Sequence, residues 1–418
     1  MKIINWIIAI SFLVCLKISF AQQAGCTDLL ATNYNSSATS NDGSCLYGTA
    51  SVAPTSTFNL DSNMVETSGL IKWDNRIWTH NDDTDTHIYS LDTLNGTEIQ
   101  AYQLNGVVNT DWEEISQDDN YMYVGDFGNN ANGNRTDLKI LRINKNSLLA
   151  NAPSIDSINF SYSNQTDFSA AGANHTDFDC EAFVVTADSI YLFTKQWISN
   201  KTSLYSLPKT PGTYIANLKA TLDVQGLITG SVLLESKHLI TLCGYSNYLQ
   251  PFTYLLYDYN GTDYFGGNKR KIDVSLPFHQ VEGIATSDGL KYYISNEYFT
   301  HPPNITVPQQ LHILDLSPFL NSYINPAITG VSEKEFQDTF FIFPNPASTA
   351  FTIAGNNHYG KIHYALYDVI GREVKTGDTN SVSGAFNETI AITDLANGLY
   401  FLRATDAKTS WTKKLEVK

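Results

Sequence analysis

Ser68-Gly69-Leu70, Glu113-Glu114-Ile115, Glu181-Ala182-Phe183, Ser231-Val232-Leu233 and Glu282-Gly283-Ile284 repeat one pattern, a Ser or Glu two residues before an apolar side chain. The steps between them are 45, 68, 50 and 51 residues. Recurrence at this period means one supersecondary unit stacked several times, because a single four-stranded unit cannot bury both of its faces alone. If the units close on themselves, Ser68, Glu113, Glu181, Ser231 and Glu282 meet on the axis. Five oxygen donors, three of them carboxylates, suit a hard cation. Ca²⁺ takes about six to eight oxygens in loose geometry, whereas Mg²⁺ demands a tighter octahedron. Without a cation the three carboxylates repel, and at least one holds a proton. The alternative is that axial Glu side chains bond backbone N–H groups and trapped water.

Outward from these positions, residues 51–320 fall into β-branched and aromatic runs separated by Asn, Asp, Gly and Ser, the strand signature. Second strands are expected at Arg76-Ile77-Trp78-Thr79, Tyr121 to Gly125, Ser189 to Phe193, His238 to Leu242 and Lys291 to Ser295. Third strands follow at Ile88 to Leu91, Leu138 to Arg142, Ser203 to Leu207, Tyr254 to Tyr257 and Leu311 to Leu314. The fifth repeat ends near Ser317 without a fourth strand, while a strand at about Thr55 to Leu60 lies unassigned before the first. Its pairing with the last repeat would remove both open edges. The expected fold is all-β: a five-bladed β-propeller, or a six-bladed one with a degenerate blade in 145–180, followed by a small Ig-like β-sandwich. The expected segments are a signal peptide (1–21), a small Cys-closed acidic module (22–48), the propeller (49–322), a linker (323–337) and the terminal sandwich (338–418).

In such a ring the five Ser/Glu positions share one end with the loops between second and third strands. That rim carries His80, Asp82, Asp126, Arg135, Lys195, Trp197, Tyr245, Tyr248, Glu297 and Tyr298. Loops on a rigid scaffold are where binding groups gather. Polar turn chemistry explains the Asn, Asp and Gly of these loops, but not Trp197, Tyr245, Tyr248 and Tyr298, which form the expected binding rim. His80, Asp82, Asp126 and Glu297 are the candidate bases, with Arg135 and Lys195 the candidate charge-stabilising cations.

Lys2, the apolar run Ile3 to Val14 and Ser19-Phe20-Ala21 read as a secretory signal peptide. Val14 before Cys15 does not fit a lipoprotein signal, and no other apolar run approaches a membrane span. The formal charge of −16 argues against nucleic acid, which needs clustered Lys and Arg. Cys26 and Cys45 bracket one short segment and are expected to pair, as export permits. Cys180 and Cys243 either pair or remain buried thiols.

Phe343-Pro344-Asn345-Pro346, Tyr364-Ala365-Leu366-Tyr367-Asp368-Val369-Ile370-Gly371-Arg372-Glu373-Val374 and Leu395-Ala396-Asn397-Gly398-Leu399-Tyr400-Phe401-Leu402-Arg403 closely resemble the type A C-terminal sorting domain of the bacterial type IX secretion system. The resemblance implies that the secretion machinery is a partner and that the mature chain is secreted or displayed at the cell surface. Gly25-Cys26-Thr27-Asp28 through Asn41-Asp42-Gly43-Ser44-Cys45-Leu46-Tyr47 is similar to units found in exported proteins of the same class, with Leu29 and Ser36 where prolines are usual. Asp28, Asn33, Asn35, Asn41 and Asp42 there suit either Ca²⁺ or plain turns, and the segment is expected to act as a spacer.

Trp112-Glu113-Glu114-Ile115 with Tyr121-Met122-Tyr123-Val124-Gly125, and Val281-Glu282-Gly283-Ile284, resemble the calcium-activated nucleotidase (apyrase) propellers. That resemblance implies Ca²⁺ on Ser68, Glu113, Glu181, Ser231 and Glu282, with a slip of one residue open at Glu113/Glu114. Two functions follow. One is a calcium-stabilised extracellular binding propeller whose ligand is a glycan or a peptide. The other is a Ca²⁺-dependent hydrolase of phosphoanhydrides. The scarcity of rim cations on a chain at −16 favours the binder.

Overall fold

The computed structural model describes residues 22–326, 340–356, 361–381, 385–405 and 410–418. The expected signal peptide and residues 327–337 of the expected linker lie outside the described residues. The chain divides into two compact units, residues 1–327 and 328–418.

The larger unit is built from antiparallel sheets of four strands in chain order. The first holds Ile71–Trp73, Arg76–Thr79, His87–Asp92 and Glu98–Gln103. The second holds Trp112–Gln117, Tyr121–Asp126, Lys139–Asn144 and Ile155–Tyr162. Asp179–Val185, Ser189–Lys195, Lys201–Pro208 and Gly212–Asp223 make the third, whose last strand runs parallel to Ile155–Tyr162 and joins the two sheets at their outer edges. The fourth holds Leu227–Leu234, Leu239–Tyr245, Pro251–Tyr257 and Asn268–Val274, with the short strand Ser51–Val52 added in parallel. The fifth holds Val281–Thr286, Lys291–Asn296 and Gln310–Asp315, and its fourth strand is Ser56–Asn59, from before the first sheet. Residues 163–178 contain no strand.

Sequence explains which strand lies deepest. Asp179–Val185 is buried at every position, whereas Gly212–Asp223 alternates and faces water along one side. A strand buried on both faces reads as a continuous apolar run, and a half-exposed one alternates. The first strands therefore lie innermost and touch those of the neighbouring sheets.

Each pair of neighbouring sheets shares one apolar cluster. Trp78 and Ile88 pack on Trp112 and Val124 between the first and second sheets, and Ile158 and Phe160 on Phe183 and Leu192 between the second and third. Phe193 and Leu204 meet Ile240 and Phe252 between the third and fourth, and Leu255 and Ile272 meet Ile284 and Tyr292 between the fourth and fifth. Leu70, Ile77 and Tyr89 meet Tyr293 and Ile313 between the fifth and the first. A helix, Ser317–Ile324, begins inside the expected last blade and ends in the expected linker, and it buries Leu320 and Ile324 in the fourth cluster of this circuit.

The expected spacer is instead a docked module. Cys26 and Cys45 are bonded. Asp28 Oδ2 accepts from Tyr47 and Tyr257 hydroxyls, and Asn41 Nδ2 donates to Asp258 O at 3.2 Å and Asn268 Oδ1 at 3.0 Å. The Arg270 guanidinium lies over the Tyr47 ring. Asp28, Asn35, Asn41 and Asp42 each accept the backbone N–H two residues on, as turns require, while Asn33 Oδ1 accepts from the more distant Leu46 N–H. Cys180 and Cys243 are separate buried thiols.

The smaller unit is a sandwich of a three-stranded and a four-stranded sheet around Phe351, Ile353, Ile362, Leu366, Leu402 and Leu415.

Candidate functional site

The innermost strands share one irregularity. In the second sheet the pairing steps from Glu114↔Gly125 to Trp112↔Asp126, leaving Glu113 unopposed. The same step leaves Glu181 unopposed in the third sheet, Thr229 in the fourth and Glu282 in the fifth. In the first sheet the register moves by one between Thr67↔Asn81 and Ile71↔Trp78, a stretch that includes Ser68. A bulge leaves one residue unpaired and re-aims its side chain. The fourth equivalent position is therefore Thr229, two residues before the expected Ser231. The residue two places after Thr229 is the polar Ser231, so the apolar spacing points to Ser231-Val232-Leu233 instead.

The two hydroxyl positions are engaged with backbone. Ser68 Oγ donates to Glu113 O, and Thr229 Oγ1 donates to Val281 O at 2.5 Å. Ser231 Oγ donates to Phe183 O at 3.0 Å, while its N–H donates to Glu114 Oε2 at 2.6 Å. Both members of the Glu113/Glu114 pair are buried, in different surroundings. The residue after the bulge is Gly69, Ala182, Gly230 or Gly283 in four sheets and Glu114 in the second. A Cβ on Gly69 would lie 2.2 Å from Glu114 Oε1, so the Glu114 carboxyl fills space that the small residues leave.

Two acidic triads stand out among the described residues, one of which includes the expected Glu113 and Glu181. Glu113, Asp179 and Glu181 are buried and bring one carboxylate oxygen each within 4.8 Å of the others. Glu66, Asp82 and Glu297, half-buried, do the same. Glu66, Asp111 and Asp179 were not anticipated. Each stands two residues before an expected ligand (Ser68, Glu113, Glu181), and reading the repeat one alternation earlier would have found them.

Asp179 Oδ1 accepts from the Asn129 N–H at 2.6 Å and Oδ2 from the Trp197 indole at 2.7 Å. Burial, then the Glu181 charge, nevertheless pushes Asp179 well above the usual carboxylate range. Glu113 rises likewise through burial, Glu181 and Asp111. Burial raises Glu181 to about 7 even though Lys195 Nζ stands 3.1 Å from its Oε1. Burial and neighbouring carboxylates raise Asp82 to about 7 and Asp111 to about 6. Glu282, raised to about 7 by burial against the opposing pull of Lys195, has a buried Oε2 with no hydrogen-bond partner among the described residues. Burial opposes the charge on Lys195, but Glu181 and its neighbours outweigh burial and hold its ammonium well above the lysine range. The ammonium also lies over the Trp197 and Tyr245 rings.

Several candidates have structural partners. His80 is fully buried, bonds Asn81 O through Nδ1 at 3.1 Å and is lowered to about 4 by burial. Asp126 is paired with Arg135 at 2.8 Å and Lys139 at 2.7 Å, and Arg135 also holds Asp137 at 3.0 Å. Tyr245, expected on the rim, is 3% exposed beneath it, where its ring packs on Lys195 and in the core between the fourth and fifth sheets. Trp197 is half-buried, Tyr298 is 42% exposed and Tyr248 is 88% exposed.

Residues 341–418 match the family described as the secretion system C-terminal sorting domain. The protein is therefore a secreted, cell-surface protein exported by the type IX system, whose machinery recognises this domain. No helix among the described residues is long and apolar enough to cross a membrane. No curated protein is significantly similar to the chain. A chain in the solved "Crystal Structure of Mitotic Checkpoint Complex" is 10% identical, covers 65% of this chain and 97% of its own length, and has a TM-score of 0.33.

Proposed function

We propose that the larger unit is a five-bladed β-propeller, one blade per sheet, that holds Ca²⁺ among Glu113, Asp179 and Glu181 and binds a glycan or peptide outside the cell. The closed circuit of shared apolar clusters and the recurrent bulge support the blade count. One observation carries the cation. Glu113, Asp179 and Glu181 bring three buried carboxylate oxygens within 4.8 Å of one another, with a single ion pair to them among the described residues, Lys195 to Glu181 at 3.1 Å. Such a group takes up protons or a cation, and an all-oxygen donor set with loose spacing suits Ca²⁺. Tyr248 and Tyr298 are exposed for stacking on sugar rings or peptide side chains.

Binding is favoured over phosphate chemistry because Arg135 and Lys195 are already paired with carboxylates. Asp82, raised to about 7 beside Glu66, is the feature that favours the apyrase-like alternative, since a base poised near neutrality is what water activation requires. The test uses the full-length protein and a panel of nucleoside di- and triphosphates, in Ca²⁺ and in chelator, with Glu181→Gln as control. The expected result is no phosphate release above the blank, with Ca²⁺-dependent retention on immobilised glycans or peptides that Tyr248→Ala and Tyr298→Ala abolish. Calcium-dependent phosphate release lost in Glu181→Gln would replace the binder with the hydrolase.

A further inference from the structure

We propose that Glu66, Asp82 and Glu297 form a second Ca²⁺ site, which pins the first sheet to the fifth. It is separate from the Glu113, Asp179 and Glu181 triad and from the identity of the ligand.

Backbone bonds fix the three residues in place. Glu66 precedes the innermost strand of the first sheet, and its carbonyl accepts from the Asp82 N–H at 3.0 Å. Asp82 follows the second strand of that sheet, Arg76–Thr79. Glu297 follows the second strand of the fifth sheet, and its N–H donates to Gln280 O at 3.2 Å. The Tyr298 N–H then donates to Val65 O at 2.7 Å, tying the two sheets together beside the triad.

The spacing suits one ion. The three carboxylate oxygens lie within 4.8 Å of one another. Ligands about 2.4 Å from a common Ca²⁺ stand no more than about 4.8 Å apart, so a single ion reaches all three. Among the described residues no Lys or Arg forms an ion pair with them: the Gln280 amide that donates to Glu297 is neutral, and Lys195 is paired with Glu181.

A separate observation points to the same place. Glu282 is 6% exposed, and its Oε2 has no hydrogen-bond partner among the described residues. Glu282 is the strongest like charge acting on Glu297, and Asp82 is the strongest acting on Glu282. The orphaned buried oxygen thus belongs to a carboxylate whose charge interacts with those of both Asp82 and Glu297. A proton shared between Glu66 and Glu297 is the competing occupant.

The site also has a mechanical logic. The fifth sheet is completed by Ser56–Asn59, from which the chain passes directly into the first sheet. An ion bridging Glu66 and Asp82 to Glu297 would resist opening where the first and fifth sheets meet.

Equilibrium dialysis of the full-length protein against radioactive Ca²⁺ tests this. The parent is expected to bind two ions, the Glu66→Gln/Glu297→Gln variant one, and Glu181→Gln the other one. A double variant that binds as many ions as the parent, with the same affinity, overturns the second site. If the double variant does not fold, Asp82→Asn replaces it, with about tenfold or greater weakening of one ion expected and an unchanged isotherm overturning the proposal. A parent that binds one ion, lost in the Glu66/Glu297 variant and kept in Glu181→Gln, retains this site and removes the axial one. A parent that binds none overturns both.

Discussion

Asp82, Glu181 and Glu282 are raised to about 7 and Asp111 to about 6, each chiefly by burial, and together with Glu113, Asp179 and Glu297, which burial also raises, they give the metal-free protein its expected pH response. A raised carboxyl keeps its proton in the folded chain over a range where the unfolded chain has already lost it. Between about pH 4 and about pH 7 the folded state therefore binds more protons, and stability falls as pH rises. The direction is opposite to that of a salt-bridged carboxylate. In chelator the melting temperature is expected to drop by several degrees or more from about pH 5 to about pH 7.5, on the scale of about 2–4 °C per kcal/mol for a domain of moderate size. Saturating Ca²⁺ should abolish the drop, because the ion replaces the protons. A calorimetric scan in chelator that is level, or rises, across that interval would show that these groups ionise without strain.

At the scale of elements, closure depends on Ser56–Asn59. This strand covers Gln310–Asp315, and Thr55 N–H donates to Ile313 O at 2.7 Å just beyond it. Without it the last sheet presents a row of unpaired backbone groups, a template for self-association. Removal of residues 22–49 should leave a soluble protein with a cooperative melt, since the docked Cys module covers a sheet already complete. Removal of residues 22–60 should give aggregates by size-exclusion chromatography. A monomeric, cooperatively melting 22–60 deletion would mean that the fifth sheet does not need its fourth strand. That closing strand was legible in the sequence, because an unassigned strand before the first repeat matched a missing one in the last. The strand positions were legible for the same reason: Ser189–Lys195 and Lys291–Asn296 are β-branched and aromatic runs bounded by turn residues. The bulge was not, because one inserted residue leaves the apolar alternation intact on either side. Ser231 was read where Thr229 stands because the residue two places after Thr229 is polar, not apolar. The second triad was equally hidden, since Glu66, Asp82 and Glu297 converge only once the first and fifth sheets meet.

For the whole molecule, the division into two units, each with its own apolar core, separates what the protein does from where it goes. The larger unit encloses its clusters between its own sheets, and the smaller buries Phe351, Ile353, Leu366 and Leu402 within its own sandwich. Among the described residues each apolar cluster lies within one unit, so each unit is expected to fold alone. The sorting function lies within residues 341–418. A chain ended at Ala327 should then keep the parent's calcium-dependent melting shift while failing to leave the cell, accumulating in the periplasm of a host with an intact type IX system. Cell fractionation with the full-length chain as control reads the second outcome, and calorimetry of the truncated chain the first. Appearance of the truncated chain in the medium would place an export signal in the larger unit. Loss of its cooperative melt would show that the two units depend on each other for stability, contrary to their separate cores.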